Sequence, residues 1–138
     1  MIKILLVDDD PRWLMLMTED ASDPNRELVE AQSESEALEK IRDEVFDVVI
    51  TDLELRPGTD EHGGLAVLKA AKEKDIYTQV IVCTSIGKPE ISVRAIGLGA
   101  FDYLERDPER VNHSKMLRFK IAQALEFRDL KLSARNPR

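Results

Sequence analysis

Two groups of carboxylates in this sequence stand where apolar runs end. Three consecutive aspartates begin at Asp8, directly after the apolar run at residues 4–7, and Asp52 closely follows the apolar run at residues 48–50. Carboxylates gathered at the ends of buried strands repel one another and raise each other's pKa, and a hard cation resolves that conflict. Mg²⁺ prefers oxygen ligands and can hold a phosphoryl group against a protein site. The pattern therefore predicts an acidic magnesium site that handles a phosphoryl group.

Apolar runs alternate along the chain with segments of helical periodicity. The runs predict five strands, at residues 2–7, 27–31, 47–52, 79–84 and 101–104. Five strands alternating with five helices predict right-handed crossovers and a doubly wound α/β fold, with a parallel sheet covered by helices on both faces. Ligands bind beyond the carboxyl ends of the strands in such a sheet. Asp9, Asp52 and Thr84 all fall there.

The composition is that of one soluble globular domain. The chain has 138 residues, 43% of them hydrophobic, with a net charge of -7 and an isoelectric point near 4.9. An acidic surface argues against direct binding to nucleic acid or to an anionic membrane. The single cysteine, Cys83, excludes an internal disulfide and is expected to be a small buried hydrophobe. No targeting or membrane-spanning segment is visible, so the expected location is the cytoplasm.

Four stretches together carry a family resemblance. They are ILLVDDD at residues 4–10, DVVITDL at 47–53, VIVCTS at 80–85 and GAFDYL at 99–104. In this order and at these approximate spacings, they make the chain resemble the CheY-like receiver domain of bacterial two-component response regulators. The resemblance covers about residues 1–125, and it implies a flavodoxin-like sheet with strand order 2-1-3-4-5.

The resemblance also implies roles for the acidic residues. Asp52 matches the phosphoacceptor, whose carboxylate attacks the phosphorus of a phosphohistidine. Asp9 matches a direct Mg²⁺ ligand, Asp8 its companion acting through metal-bound water, and the backbone carbonyl of Glu54 a further ligand. The residues fit this chemistry independently, because phosphoryl transfer needs mainly positioning and neutralisation of oxygens, and one carboxylate supplies the nucleophile.

The switch residues match the family less completely. Thr84 matches the hydroxyl that hydrogen-bonds the phosphoryl group, and Tyr103 the aromatic that turns inward when that hydroxyl moves. The family normally has a lysine followed by proline after the fifth strand, whereas here Arg106 takes the place of the lysine and Asp107 separates it from Pro108. Arginine keeps the charge, but its planar fork is bulkier and differently aimed than an ammonium. A cis bond before a non-proline residue costs about 3 kcal/mol, so we expect a trans bond after Arg106.

The loop after Asp52 also departs from the family pattern. It is longer than usual up to Gly64, and it adds Asp60, Glu61 and His62 near the mouth of the site. We expect this insertion to alter kinase docking or the lifetime of the phosphoryl group. His62 and His113 are both expected to face solvent.

The sequence predicts a receiver domain at residues 1–126, followed by a helix extension and tail at 127–138. The last helix should pack on the sheet through Leu117, Ile121 and Leu125. Apolar positions continue beyond it at Phe127, Leu130 and Leu132. They leave four interpretations open: a homodimer contact, a partner groove, a linker to an output domain, or a frayed tail.

We therefore predict a non-enzymatic phosphoacceptor, either free-standing or cut from a larger regulator. A sensor histidine kinase or phosphotransfer protein would phosphorylate Asp52. The fourth helix, fifth strand and fifth helix would then present an altered surface to a downstream protein or output domain. One alternative is a pseudo-receiver, an interaction module in which Arg106 and the long loop have abolished phosphorylation. A haloacid-dehalogenase-type phosphatase is the other alternative, but its Asp-x-Asp motif needs a following hydroxyl residue that is missing after Asp10.

Overall fold

The computed structural model describes residues 1–55, 63–84, 89–106 and 112–135. The strands are β1 (Ile2–Val7), β2 (Arg26–Ala31), β3 (Val48–Thr51), β4 (Gln79–Thr84) and β5 (Asp102–Glu105). The helices are α1 (Pro11–Ala21), α2 (Glu34–Asp43), α3 (Gly63–Lys74), α4 (Pro89–Gly97) and α5 (His113–Arg135). All strand pairs are parallel and the sheet order is β2-β1-β3-β4-β5. The predicted fold class and strand order are confirmed.

Helices cover both faces of the sheet, and each face has its own core. Along β1, Leu5 and Val7 point to the face that packs against α2, α3 and α4, whereas Ile4 and Leu6 point to the face under α1 and α5. All four side chains are fully buried. Burial on both faces explains why the strands read as continuous apolar runs rather than as alternating patterns.

Local capping fixes where the first two helices begin. The Asp10 carboxylate accepts the backbone N–H of Arg12 at 2.9 Å, and Pro11 takes the first helical position of α1. The Ser33 hydroxyl accepts the N–H of Glu36 at 3.1 Å, and the Glu36 carboxylate accepts the N–H of Gln32 at 3.3 Å. The two bonds form a reciprocal cap at the start of α2, with the returning hydrogen bond displaced by one residue from the usual capping box.

Two strands end differently from the prediction, and the differences affect the site. β3 ends at Thr51, so Asp52 lies just past the strand rather than inside it. β5 ends at Glu105, one residue later than predicted, and Arg106 follows immediately. These bounds place both side chains at the same rim of the sheet, because the carboxyl ends of parallel strands share one edge.

α5 is one helix of 23 residues that continues past residue 126. Leu117 and Ile121 are buried and Leu125 packs beside them, so the predicted packing of α5 on the sheet is confirmed. Beyond residue 126, the Phe127 ring lies 5.5 Å from the ring of Phe101. Arg128 Nη2 lies 3.0 Å from Asp47 Oδ1, at the start of β3. The last turns of α5 therefore contact the end of the sheet opposite the acidic residues, and the division into 1–126 and 127–138 stays a prediction.

Candidate metal and phosphoryl site

The carboxyl ends of β1 and β3 bring three aspartates together. The Asp8 N–H donates to Ala31 O at 3.1 Å, and the Asp52 N–H donates to Val7 O at 3.0 Å, so backbone bonds to neighbouring strands hold both residues. One carboxylate oxygen from each of Asp8, Asp9 and Asp52 lies within 4.8 Å of the others. Three hard oxygen donors at one rim are a suitable ligand set for Mg²⁺, Ca²⁺ or Mn²⁺.

Burial makes negative charge in this cluster costly. Asp8 is 0% exposed and Asp52 is 1% exposed. Burial raises the pKa of Asp8 from 3.8 to about 7, although the Asp10 N–H and the Arg106 charge act in the opposite direction. Burial also raises the pKa of Asp52, against the hydrogen bond from the Thr84 hydroxyl and the Arg106 charge. The site therefore favours binding a proton or a cation.

Arg106 reaches into this cluster from the end of β5. Its Nη1 lies 2.5 Å from Asp8 Oδ2, and its Nη2 lies 3.4 Å from Asp52 Oδ2. The Arg106 N–H donates to Thr84 O at 2.6 Å, which fixes its backbone beside β4. Its side chain is only 11% exposed. The structure thus brings Arg106, the residue in the place of the family's lysine, together with Asp8 and Asp52, two of the predicted site residues.

Two more of the predicted residues contact or flank Asp52. Thr84 ends β4, is fully buried, and hydrogen-bonds the Asp52 carboxylate through its side chain. The Glu54 N–H donates to Asp52 Oδ1 at 3.2 Å, so the backbone after Asp52 turns around its carboxylate. Metal ligation by the Glu54 carbonyl stays a prediction.

Tyr103 lies on β5, the strand that Arg106 directly follows. It is half-buried on β5 and packs at the edge of the core on the α2–α4 side of the sheet. Burial raises the pKa of its phenol. A half-buried aromatic at this position is compatible with movement, and its switch role stays a prediction.

Trp13 is a site residue that the sequence did not point to. Its ring centroid lies 4.8 Å from Arg106 Cζ, close enough for a cation–π contact. The other neighbour of the ring is His113, with centroids 5.3 Å apart at an interplanar angle of 63°. Trp13 therefore connects α1, the Arg106 side chain and the start of α5. No sequence signal identifies this contact, since it depends on residues far apart in the chain.

The expectation that His113 faces solvent was wrong. It is 9% exposed, and its Nε2 lies 3.7 Å from Cys83 Sγ. The reason is that His113 opens α5 on the side of the helix that packs against the sheet. Cys83 is fully buried as predicted, and burial raises the pKa of its thiol to about 12, so it stays uncharged. Asp60, Glu61, His62, Asp107 and Pro108 lie outside the described residues.

Gly64 shapes the site through backbone contact. A Cβ atom at this position would lie 2.0 Å from Asp52 O and 2.6 Å from Leu53 Cα. The Gly64 N–H donates to Leu53 O at 3.0 Å, so the start of α3 is held directly against the segment that carries Asp52. Only glycine permits so close an approach.

Comparison with known proteins agrees with this geometry. Residues 4–118 match the response regulator receiver domain family. The chain belongs to this family. It is 33% identical over 103 residues to the transcriptional regulatory protein ZraR of Escherichia coli K12, covering 75% of this chain and 22% of ZraR. It is 28% identical to the chemotaxis protein CheY of Bacillus subtilis, covering 72% of this chain and 82% of CheY.

A solved receiver domain has the same fold over nearly its whole length. The CheY-like response regulator receiver domain protein of Methanospirillum hungatei JF-1 superposes with a TM-score of 0.81 at 26% identity, covering 95% of this chain and 98% of that protein. By contrast, the chain spans about a fifth of the length of ZraR. This receiver domain thus corresponds to one module of the longer regulators.

None of the helices in the described ranges has the length and apolar character that crossing a bilayer requires.

Proposed function

We propose that this receiver domain accepts a phosphoryl group on Asp52 from a histidine kinase or phosphotransfer protein, in a reaction that requires Mg²⁺. The observation that carries the proposal is the convergence of Asp8, Asp9 and Asp52 within 4.8 Å at the carboxyl rim of the sheet. Membership of the receiver family supports it. The domain is a signalling phosphoacceptor, not an enzyme that turns over a separate substrate.

The side chains around Asp52 fit the acceptor step. An Asp52 carboxylate oxygen forms the new bond to phosphorus, the bond from phosphorus to the histidine nitrogen of the donor breaks, and that nitrogen keeps the electron pair. The Thr84 hydroxyl hydrogen-bonds the unphosphorylated Asp52 carboxylate, so it would lie beside a phosphoryl group attached there. Arg106, whose Nη2 lies 3.4 Å from Asp52 Oδ2, supplies positive charge for phosphoryl oxygens.

Asp8, Asp9 and Asp52 would hold Mg²⁺, with the Glu54 carbonyl as a further ligand. The ion would supply positive charge that neutralises the phosphoryl oxygens, while Asp52 supplies the nucleophilic oxygen. The ligand set fits the ion, since all of its donor atoms are oxygens. Binding a cation would also offset the cost of burying several carboxylate charges together.

Phosphorylation would act as a signal by changing the surface around α4, β5 and α5. A dianionic group added at the rim biases any two-state element that contains Thr84 and Tyr103. We propose that the altered surface binds a downstream protein or an output domain, and that this takes place in the cytoplasm. The extension at 127–138 would serve as a homodimer contact or as a link to that domain.

Incubation with Mg²⁺ and acetyl phosphate, followed by intact mass measurement, tests the proposal. We expect one phosphoryl adduct on the wild type and none on Asp52→Asn. The matched control is Asp20→Asn, because Asp20 is also buried but lies on α1 outside the cluster. Labelling of Asp52→Asn, or no labelling of the wild type, would contradict the proposal.

One observation favours the pseudo-receiver as a second candidate. Arg106 already pairs with Asp8 and Asp52, so the domain satisfies part of its acidic site without metal or phosphate. In that case wild type would show no adduct and no change in Trp13 fluorescence with beryllofluoride. The phosphatase alternative predicts turnover of a generic phosphate ester, which we do not expect.

A further inference from the structure

The two oxygens of the Asp8 carboxylate accept hydrogen bonds from different donors. Oδ1 accepts the backbone N–H of Asp10 at 2.9 Å, and this bond forms the turn between β1 and α1. Oδ2 accepts from Arg106 Nη1 at 2.5 Å. A cation that approached Asp8 would therefore meet one oxygen committed to the backbone and the other to a guanidinium.

The Arg106 side chain is held in this position from three sides. Asp8 and Asp52 lie at its two terminal nitrogens, and the Trp13 ring lies 4.8 Å from its central carbon. The guanidinium can bridge two carboxylates because it is a planar fork, whereas an ammonium is a single point of charge. The contact is therefore specific to arginine at this position, and it is nearly excluded from solvent.

We propose that Arg106 is a built-in counter-cation that competes with Mg²⁺ for Asp8, so that metal binding requires the guanidinium to leave the Asp8 carboxylate. This inference rests on the proposed metal site. Two positive centres cannot share one buried carboxylate oxygen without strong repulsion. The arrangement lowers the affinity for Mg²⁺ and, in exchange, stabilises the metal-free domain. It also makes Arg106 available to a phosphoryl group only when the metal is bound.

The test is a Mg²⁺ titration of full-length protein, read by calorimetry and by the shift in melting temperature. We expect Arg106→Met to bind Mg²⁺ about tenfold or more tightly than wild type, since a charge-assisted hydrogen bond of this kind no longer has to be broken. Arg106→Lys should lie between the two. The metal-free melting temperature should fall in Arg106→Met.

Two further measurements separate competition from a general charge effect. Arg12→Met removes an exposed cation of the neighbouring turn and should change the Mg²⁺ affinity less than threefold, because solvent screens it. Trp13 is the only tryptophan in the chain, and its emission should change as Mg²⁺ displaces the guanidinium in wild type but not in Arg106→Met.

An affinity in Arg106→Met that is equal to or weaker than that of wild type would overturn the inference, as would equal tightening by Arg12→Met. Absence of Mg²⁺ binding in both proteins would also overturn it. Failure of the proposed function is seen separately, in the acetyl phosphate assay. Tighter Mg²⁺ binding by Arg106→Met, together with no phosphoryl adduct on wild type, would uphold the counter-cation and refute the phosphoacceptor.

Discussion

Replacing Gly64 with alanine should unfold the domain more easily and disturb the acidic site. The added Cβ would lie 2.0 Å from Asp52 O, whereas ordinary contact begins at 3.4 Å, so backbone atoms must separate by about 1.4 Å. The obstacle is main chain on both sides, and no rotamer change relieves it. Either α3 moves away from the sheet or the segment after β3 shifts with the Asp52 carboxylate.

The expected cost follows from two opposing terms. Overpacking a well-packed site typically costs about 1–3 kcal/mol, and backbone obstruction places Gly64→Ala near the upper end. The higher helix propensity of alanine offsets less than about 1 kcal/mol. A net loss of about 2 kcal/mol corresponds to a decrease in melting temperature of roughly 8 °C for a domain of this size. In conditions where the variant is folded, its Mg²⁺ affinity should also fall, since the Asp52 oxygens are displaced.

Thermal melting with and without Mg²⁺ measures both effects, and Gly63→Ala is the matched control. At Gly63 the nearest atom to a new Cβ is Glu34 Oε2 at 3.1 Å, which is the end of a side chain rather than backbone. We expect Gly63→Ala to melt within about 2 °C of wild type. If Gly64→Ala melted like Gly63→Ala and bound Mg²⁺ normally, α3 would not press on the Asp52 backbone, and the reasoning would be refuted.

Three further predictions concern the rest of the molecule. Burial raises the pKa of Asp8 from 3.8 to about 7. Protonated Asp8 therefore contributes its whole stabilisation of the folded state below pH 3.8, and this stabilisation is lost as the pH rises through 7. Without divalent cations, denaturant titrations should therefore show that wild type loses about 2–3 kcal/mol of unfolding free energy between pH 5 and pH 8, relative to Asp8→Asn. The same pH dependence of the unfolding free energy in both proteins would contradict this. The Cys83 thiol, fully buried with a pKa of about 12, should react with a thiol reagent at pH 8 only after unfolding, and rapid labelling of folded protein would show that the thiol is accessible. Phe127→Ala should lower the free energy of unfolding by about 1–2 kcal/mol, because it removes the ring contact with Phe101. Phe119→Ala, at a more exposed position of α5, should lower it by less than about 0.5 kcal/mol. Equal effects of the two changes would mean that the ring contact contributes nothing.

The sequence predicted the fold well because the relevant signals are local. Continuous apolar runs, helical periodicity and caps such as Asp10 and Ser33 each act within a few residues. The placement of Asp8 and Asp52 at one rim also follows, since Asp8 comes directly after the first predicted parallel strand and Asp52 is the last residue of the third. The predicted ends of β3 and β5 were each wrong by one residue, because the apolar pattern changes very little when a strand is one residue longer or shorter.

The contacts that sequence reasoning missed depend on distant parts of the chain. Arg106 and Asp8 are 98 positions apart, and no periodicity relates them. The Trp13 ring, on α1, contacts the guanidinium of a residue at the end of β5, and no local pattern indicates this contact. His113 looked like an exposed polar residue because its burial depends on how α5 packs against the sheet, which brings it beside Cys83. Gly64 looked like a loop glycine, and only the packing of α3 shows the close approach.

The charge in the cluster limits how far Arg106 can replace a metal. Asp8, Asp9 and Asp52 would together carry three negative charges when ionised, and among the residues that the structure describes the Arg106 guanidinium supplies one positive charge to them. The remaining two negative charges match a divalent cation, whereas a proton on Asp8 removes only one of them. A fully neutralised pseudo-receiver would need a further cation at the rim or the loss of an acid. Arg106 therefore weakens the demand for Mg²⁺ without abolishing it, and for this reason we favour the phosphoacceptor over the pseudo-receiver.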